Sequence, residues 1–231
     1  MAGANVRPAA GGGRWVDVDP ERLPAWLNRF AVNHGGYRVV ASDDAVRAGG
    51  VGGEALRIEA GDGTTLRLWP PPGAAVRTDL EEFLGEAQRP RRLGLLLARQ
   101  ASVAVGIAEG PQVIESKVDT YYVQSRTAAG GWSQQRYARR RVNQARAAAE
   151  SAADQAVRML ITEAGRLAAV VMGGDRRTVE AILADPRLAP LRPLVADRFL
   201  AVGEPRRRTL DEAARLARQV RILVRDPDAQ G

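Results

Sequence analysis

Residues 93–122 read LGLLLARQASVAVGIAEGPQVIESKVDTYY. Three runs lie inside this stretch, Leu93–Ala98, Ser102–Ala108 and Gln112–Tyr122, each rich in Leu, Val, Ile or Tyr. Their separators, Arg99 to Ala101 and Glu109-Gly110-Pro111, are too short for anything but tight reversals. Such runs pair with their sequence neighbours, so the stretch predicts an antiparallel three-strand meander. Downstream the pattern changes. A long helix is expected over about Gln135 to Thr162, then a buried strand at Leu167–Met172 ended by Gly173-Gly174-Asp175. A helix at Thr178–Ala184 and a strand at Arg198–Val202 follow. The motif Thr209-Leu210-Asp211-Glu212 reads as a capping box opening a last helix to about Val224. The order β-β-β-α-β-α-β-α calls for a mixed sheet with helices on its faces, the order of a ribonuclease-H-like sheet.

Upstream, Arg89-Pro90-Arg91-Arg92 marks a boundary. Residues 1–13 are Gly/Ala-rich and expected to be a disordered tail. Residues 14–88 read as a small α+β domain. Trp15 to Val18 forms a short strand, and Asp19-Pro20 opens a helix carrying Leu23, Trp26, Leu27 and Phe30 that ends at Gly35-Gly36. Strands follow at Tyr37–Ala41, Ala55–Ala60 and Thr65–Trp69, the last two joined through Gly61-Asp62-Gly63. Thr78-Asp79-Leu80-Glu81 reads as a capping box for a helix ending near Gln88. The fold class is therefore α+β with an α/β part: a small N-terminal α+β domain, then a ribonuclease-H-like domain over residues 89–231.

Composition narrows the chemistry. The chain has 231 residues and no cysteine, which excludes disulfides, thiolate nucleophiles and thiolate-bound zinc. Its one histidine, His34, sits before Gly35-Gly36, where a helix C-terminus favours it, and no catalytic role is expected of it. No metal and no cofactor are expected. Residues 1–13 lack an apolar core and no run is long enough to span a bilayer, so a soluble, cytoplasmic monomer away from membranes is expected. The formal net charge is +7, and it is uneven. Residues 1–88 carry 9 Arg against 12 acids, whereas residues 89–231 carry 24 Arg and one Lys against 15 acids. That asymmetry points to a polyanionic partner for the second part.

The basic excess concentrates between Thr120 and Ala149, a stretch without a single acid that holds Arg126, Arg136, Arg139, Arg140, Arg141 and Arg146. On a helix Arg136, Arg139 and Arg140 share a face, with Arg146 near it. Arginines in a first turn oppose the helix dipole, a penalty that a phosphate partner reverses. Just before them the loop reads Gly130-Gly131-Trp132-Ser133-Gln134-Gln135. The glycines let the backbone approach a ligand, and Trp132 and Tyr137 offer flat rings for a nucleobase. A carboxamide can orient water and hydrogen-bond a developing oxyanion.

A strand ending Tyr121-Tyr122-Val123, a glycine loop with Gly131-Trp132-Ser133-Gln134, and then a long basic helix resemble the release-factor-like peptidyl-tRNA hydrolases of the VMS/ANKZF type, in particular their actinobacterial members. Their domain is similar to the middle domain of the eukaryotic and archaeal class-one translation termination factor. The resemblance covers about residues 92–226. It implies action on peptidyl-tRNA held by a stalled large ribosomal subunit. Gln134, at the Gln of Gly-x-x-Gln, would position water against the ester, and Gly130 and Gly131 would admit the loop. Trp132 and Ser133 would meet the CCA end, Arg136, Arg139 and Arg140 would hold phosphates, and Gln135, Arg126, Tyr137 and Arg146 would join them in binding substrate or RNA. Cleavage of the tRNA 3′ end and a non-catalytic rRNA- or tRNA-binding module remain open beside ester hydrolysis.

Overall fold

A computed structural model describes residues 5–40, 56–99, 102–120 and 133–227. The chain forms two compact units, Met1–Pro90 with Arg215–Gly231, and Arg91–Ala214.

In the first unit the described residues form a six-stranded sheet. The strands are β1 (Asn5–Pro8), β2 (Arg14–Val18), β3 (Tyr37–Val40), β4 (Leu56–Ala60), β5 (Thr65–Trp69) and β11 (Val220–Arg225), in the order β1-β2-β11-β5-β4-β3. Neighbouring strands in it run antiparallel throughout. One face packs α1 (Leu23–Asn33) and α2 (Leu80–Gln88). Leu23, Leu27, Phe30, Phe83 and Ala87 meet Val16, Leu56, Ile58, Leu66, Leu68, Val220, Ile222 and Val224.

Several expectations change here. The glycine run does not belong to a disordered tail throughout: Gly11, Gly12 and Gly13 take positive φ (77°, 91° and 84°) and turn β1 back onto β2, from Asn5↔Asp17 to Pro8↔Arg14. Only residues without a Cβ adopt such φ freely, so the run is a turn signal. The last helix stops at Ala217, and Val220–Arg225 is a strand between β2 and β5. Val220, Ile222 and Val224 alternate inward, as a half-buried strand requires. Consequently the second domain does not extend to residue 231, because its last 17 residues complete the first unit. The cap of α2 is Asp79 rather than Thr78, its carboxylate accepting the Glu82 N–H at 3.0 Å.

The second unit is built on β6 (Arg92–Arg99), β7 (Ser102–Glu109) and β8 (Gln112–Thr120), the expected meander. Helix α3 (Ser133–Ala156) follows and widens into a π-turn at Val157–Ile161. Then come β9 (Ala169–Gly174), α4 (Arg176–Leu183), β10 (Val195–Leu200) and α5 (Arg207–Ala217). Among the described residues the sheet order is β10-β9-β6-β7-β8, with β9 parallel to both β6 and β10. This is the mixed, ribonuclease-H-like sheet expected. The second capping box is not a cap: α5 already begins at Arg207, and the Thr209 hydroxyl donates to the Glu204 carbonyl at 2.7 Å.

Glycines set how closely the helices approach this sheet. On one face a Cβ at Gly94 would stand 3.0 Å from Leu160 Cδ2 of the π-turn. On the other face a Cβ at Gly106 would stand 3.3 Å from Leu210 of α5. The first of these faces also holds Ala152, Ala153 and Ala156 of α3, fully buried with Val103, Val105 and Ile107. Small side chains there seat the helix close to the strands.

Candidate nucleic-acid interface

The direction of α3 follows from two contacts. Near its C-terminal end the Gln155 Nε2 donates to the Asp119 carboxylate, one residue before β8 ends. Beyond the helix, the Glu163 carboxylate meets Arg92 Nε at 2.9 Å, where β6 begins. Asp119 lies opposite Val103 at the start of β7, whereas Arg92 lies opposite Glu109 at the end of β7. These are opposite ends of the sheet. The C-terminal part of α3 therefore runs across the sheet from the Asp119 end to the Arg92 end. The residues before Gln155 lead away past the Asp119 end. Gln134 is 21 residues before Gln155, about 32 Å along a straight helix axis. Among the described residues of α3, Ala149 is the first apolar side chain in the core beneath the sheet. The Gly-x-x-Gln glutamine thus stands in the first turn of a helix whose far end is fastened to the Asp119 end of the sheet.

That far end is pinned on several sides. Gln155 is 3% exposed, and Asp119 also has Lys117 Nζ at 3.6 Å. On the flank of α3, Asp154 meets Arg187 Nη1 at 2.8 Å. Arg187 also closes on Asp185, whose carboxyl its side-chain and backbone N–H bonds bring down to about 2. Arg207 of α5 ties down β8, donating to Ser116 Oγ and to the Val113 carbonyl, each at 3.1 Å. Of the Arg206-Arg207-Arg208 run, Arg207 is thus a structural tie.

Of the residues singled out in the sequence, Arg126, Gly130, Gly131 and Trp132 lie outside the described residues. Ser133, Gln134, Gln135, Arg136, Tyr137, Arg139 and Arg140 fall in the first two turns of α3. The helix begins two residues earlier than expected, so Gln134 belongs to its first turn. Backbone N–H groups there lack intrahelical partners, and the dipole favours an anion. Arg146 is exposed and pairs with Glu150 one turn on, at 2.9 Å. A pair exposed like this is worth only about 0.3–0.5 kcal/mol and leaves the guanidinium available to phosphate.

The carboxylates near the sheet are engaged as structure. Asp175 caps α4, accepting the Thr178 hydroxyl and N–H, and these bonds hold its carboxyl below the usual range. Asp211 meets Arg207 at 3.4 Å. Among the described residues no group of three or more His, Asp or Glu side chains is placed to hold a metal. No described helix is long and apolar enough to cross a membrane. His34 is the C-cap of α1, stacked on Phe30 and 2.7 Å from Asp62. Sequence reasoning missed Gln155; its one signal was a glutamine set among the buried alanines 152, 153 and 156.

Residues 91–223 match the family model of the Actinobacteria/chloroflexi VLRF1 release factor. The chain belongs to this family. The match begins where the second unit begins and takes in the meander, α3 and the segments after it. Among solved structures the chain is similar to an archaeal translation termination factor, aRF1, at 16% identity with a TM-score of 0.42, over 69% of this chain and 51% of that one. A second structure, described only as an archaeal protein, is also 16% identical, with a TM-score of 0.34, over 67% and 48% of the two chains. The chain spans about half the length of each of these structures. No curated protein matches it.

Proposed function

We propose that this VLRF1 family member is a ribosome-rescue release factor that frees nascent chains from peptidyl-tRNA on stalled large ribosomal subunits. The observation that supports the reading is that Gln134, the last residue of the Gly131-Trp132-Ser133-Gln134 motif, falls in the first turn of α3, inside a 30-residue stretch with six arginines and no acid. A site carried at the end of a long basic arm suits a buried RNA-walled centre rather than a pocket of the protein's own.

In this mechanism Arg136, Arg139 and Arg140 hold phosphates and set the depth of entry. Gly130 and Gly131 allow the backbone to approach the ester, and Trp132 and Ser133 meet the CCA end. Gln134 positions a water, through its carboxamide or a backbone N–H. The water oxygen attacks the ester carbonyl carbon, the developing oxyanion is hydrogen-bonded, and the bond to the ribose 3′ oxygen breaks. That oxygen takes up a proton, releasing the peptide with a free carboxylate and the tRNA with an intact end. A glutamine is a poor proton acceptor, so the RNA centre supplies much of the rate and the protein supplies position. The test is loss of peptide release in Gln134→Ala with subunit binding retained.

A further inference from the structure

The sheet of the first unit has a second face that carries neither α1 nor α2. Its register lays out what stands there. One row across the strands is Trp15 (β2), Leu223 (β11), Arg67 (β5) and Arg57 (β4); the next is Asp17, Arg221 and Trp69. The two tryptophan rings tilt against each other at 5.1 Å. Arg67 lies over Trp69 and Arg221 over Trp15, each 5.6 Å from the ring centroid. Arg38 on β3 and Arg7 on β1 extend the cationic surface to both edges, and Arg225 on β11 stands two residues beyond Leu223 on the same face.

Two features of this face are unfavourable for a sheet that merely meets water. Arg57 and Arg67 stand directly opposite each other on neighbouring strands, and like charges so placed are destabilising. Two tryptophans share the same surface and are only half-buried, which leaves part of two large apolar rings facing water. Among the described residues the acids on this face are Asp17 and Glu59: Asp17 meets Arg7 and Arg221, and Glu59 meets Arg38 at 2.8 Å and Arg57 at 3.5 Å. Among the described residues six arginines, Arg7, Arg38, Arg57, Arg67, Arg221 and Arg225, share the face with these two acids. Asp17 and Leu223 are buried beneath the larger side chains of this face, and half-buried flat rings between guanidinium groups there form a stacking platform with phosphate contacts beside it.

We propose that this face binds a single-stranded RNA segment, its bases stacking on Trp69 and Trp15 and its phosphates lying on Arg57, Arg67 and Arg38. The surface belongs to a different unit from Gln134, and the proposal stands whether or not the Gly-x-x-Gln loop hydrolyses an ester.

The substitution Arg57→Glu makes the test sharp. It exchanges the opposed arginine pair for an attractive one and gives up the exposed 3.5 Å contact with Glu59, so stability should change little while an attraction for phosphate becomes a repulsion. The full chain carrying Arg139→Glu and Arg140→Glu, which reverses two charges on the basic helix of the second unit, is titrated with a fluorescent twelve-nucleotide oligouridine. The proposal expects retained binding that weakens about tenfold with Arg57→Glu and about fivefold or more with Trp69→Leu. The slope of log affinity against log salt should also become shallower by about 0.7 for each phosphate that the arginine no longer neutralises. Thermal unfolding of Arg57→Glu should stay close to that of the parent. If oligouridine binding ignores both substitutions, or if polyglutamate binds as tightly as oligouridine, the proposal is overturned.

Discussion

Gln155, on the sheet-facing side of α3, hydrogen-bonds the carboxylate of Asp119, the next-to-last residue of β8. The strand that leads into the Gly-x-x-Gln loop and the helix that leads out of it are thereby fastened at one level, at one end of the sheet. The reach of Gln134 is measured from this point.

Breaking that fastening should be costly. A bond to a charged acceptor, made by a buried amide, contributes about 1.5–3 kcal/mol. Gln155→Leu and Asp119→Ala should each lower stability by an amount in that range, read from urea unfolding. The double variant should cost clearly less than their sum, because both remove one bond. Additive effects would show that the two residues act separately.

Gly174 ends β9 with φ at 98°, and a Cβ there would run into the Ala98 carbonyl oxygen. The backbone must be left-handed here because the next residue, Asp175, donates its N–H to that same carbonyl at 2.7 Å and then caps α4. Gly174→Ala should destabilise the protein by about 3 kcal/mol or more. By contrast, a Cβ at Gly85, in α2, meets nothing within 4 Å. Gly85→Ala should stabilise by roughly 0.5–1 kcal/mol. Thermal or urea unfolding of the two variants checks both signs.

How much of this was legible in the sequence depends on how far away each element's partner lies. The meander over residues 93–120 was readable because each strand pairs with its neighbour through a short break. Strand β11 was not. Leu210, Ala213, Ala214, Ala217 and Val220 continue one helical period, so the apolar run at Val220–Val224 looks like a last turn of helix. Its true partners, β2 and β5, lie far back in the chain, with Val220 opposite Val18 and Val224 opposite Leu66, and no local pattern reports them. The same distance hid the domain boundary. The site was legible as a motif, since Gly-x-x-Gln before a basic helix is visible in one dimension. Its fastening to the sheet was not, because that depends on Gln155 meeting Asp119 across 36 residues.

Acid should loosen the first unit at a specific place. The Thr64 N–H and then the His34 ring hold the Asp62 carboxyl at about 2, well below an unfolded value near about 3.9. A depressed folded value means that the contribution is present above about pH 4 and is lost as pH falls toward 2. The unfolding temperature of the parent should therefore fall more steeply between pH 4 and 2 than that of Asp62→Asn. Parallel curves would show that Asp62 plays no part in the acid response.

Association with large ribosomal subunits should depend on salt through the helix arginines. Arg139→Glu with Arg140→Glu should weaken binding by about tenfold or more and flatten the dependence of log affinity on log salt. Sedimentation of subunits with the protein across a salt series gives both quantities. An unchanged slope would mean that these arginines do not meet phosphate.

The role of Gln134 is decided on purified large subunits carrying a labelled peptidyl-tRNA, with the parent protein and Gln134→Ala compared while the peptide and the tRNA 3′ end are both followed. The expected result is free peptide and an intact CCA end with the parent, and release reduced by about a hundredfold or more with Gln134→Ala, which still binds the subunit. Release that is unchanged in Gln134→Ala, or peptide that leaves attached to a shortened tRNA end, would contradict ester hydrolysis at this loop.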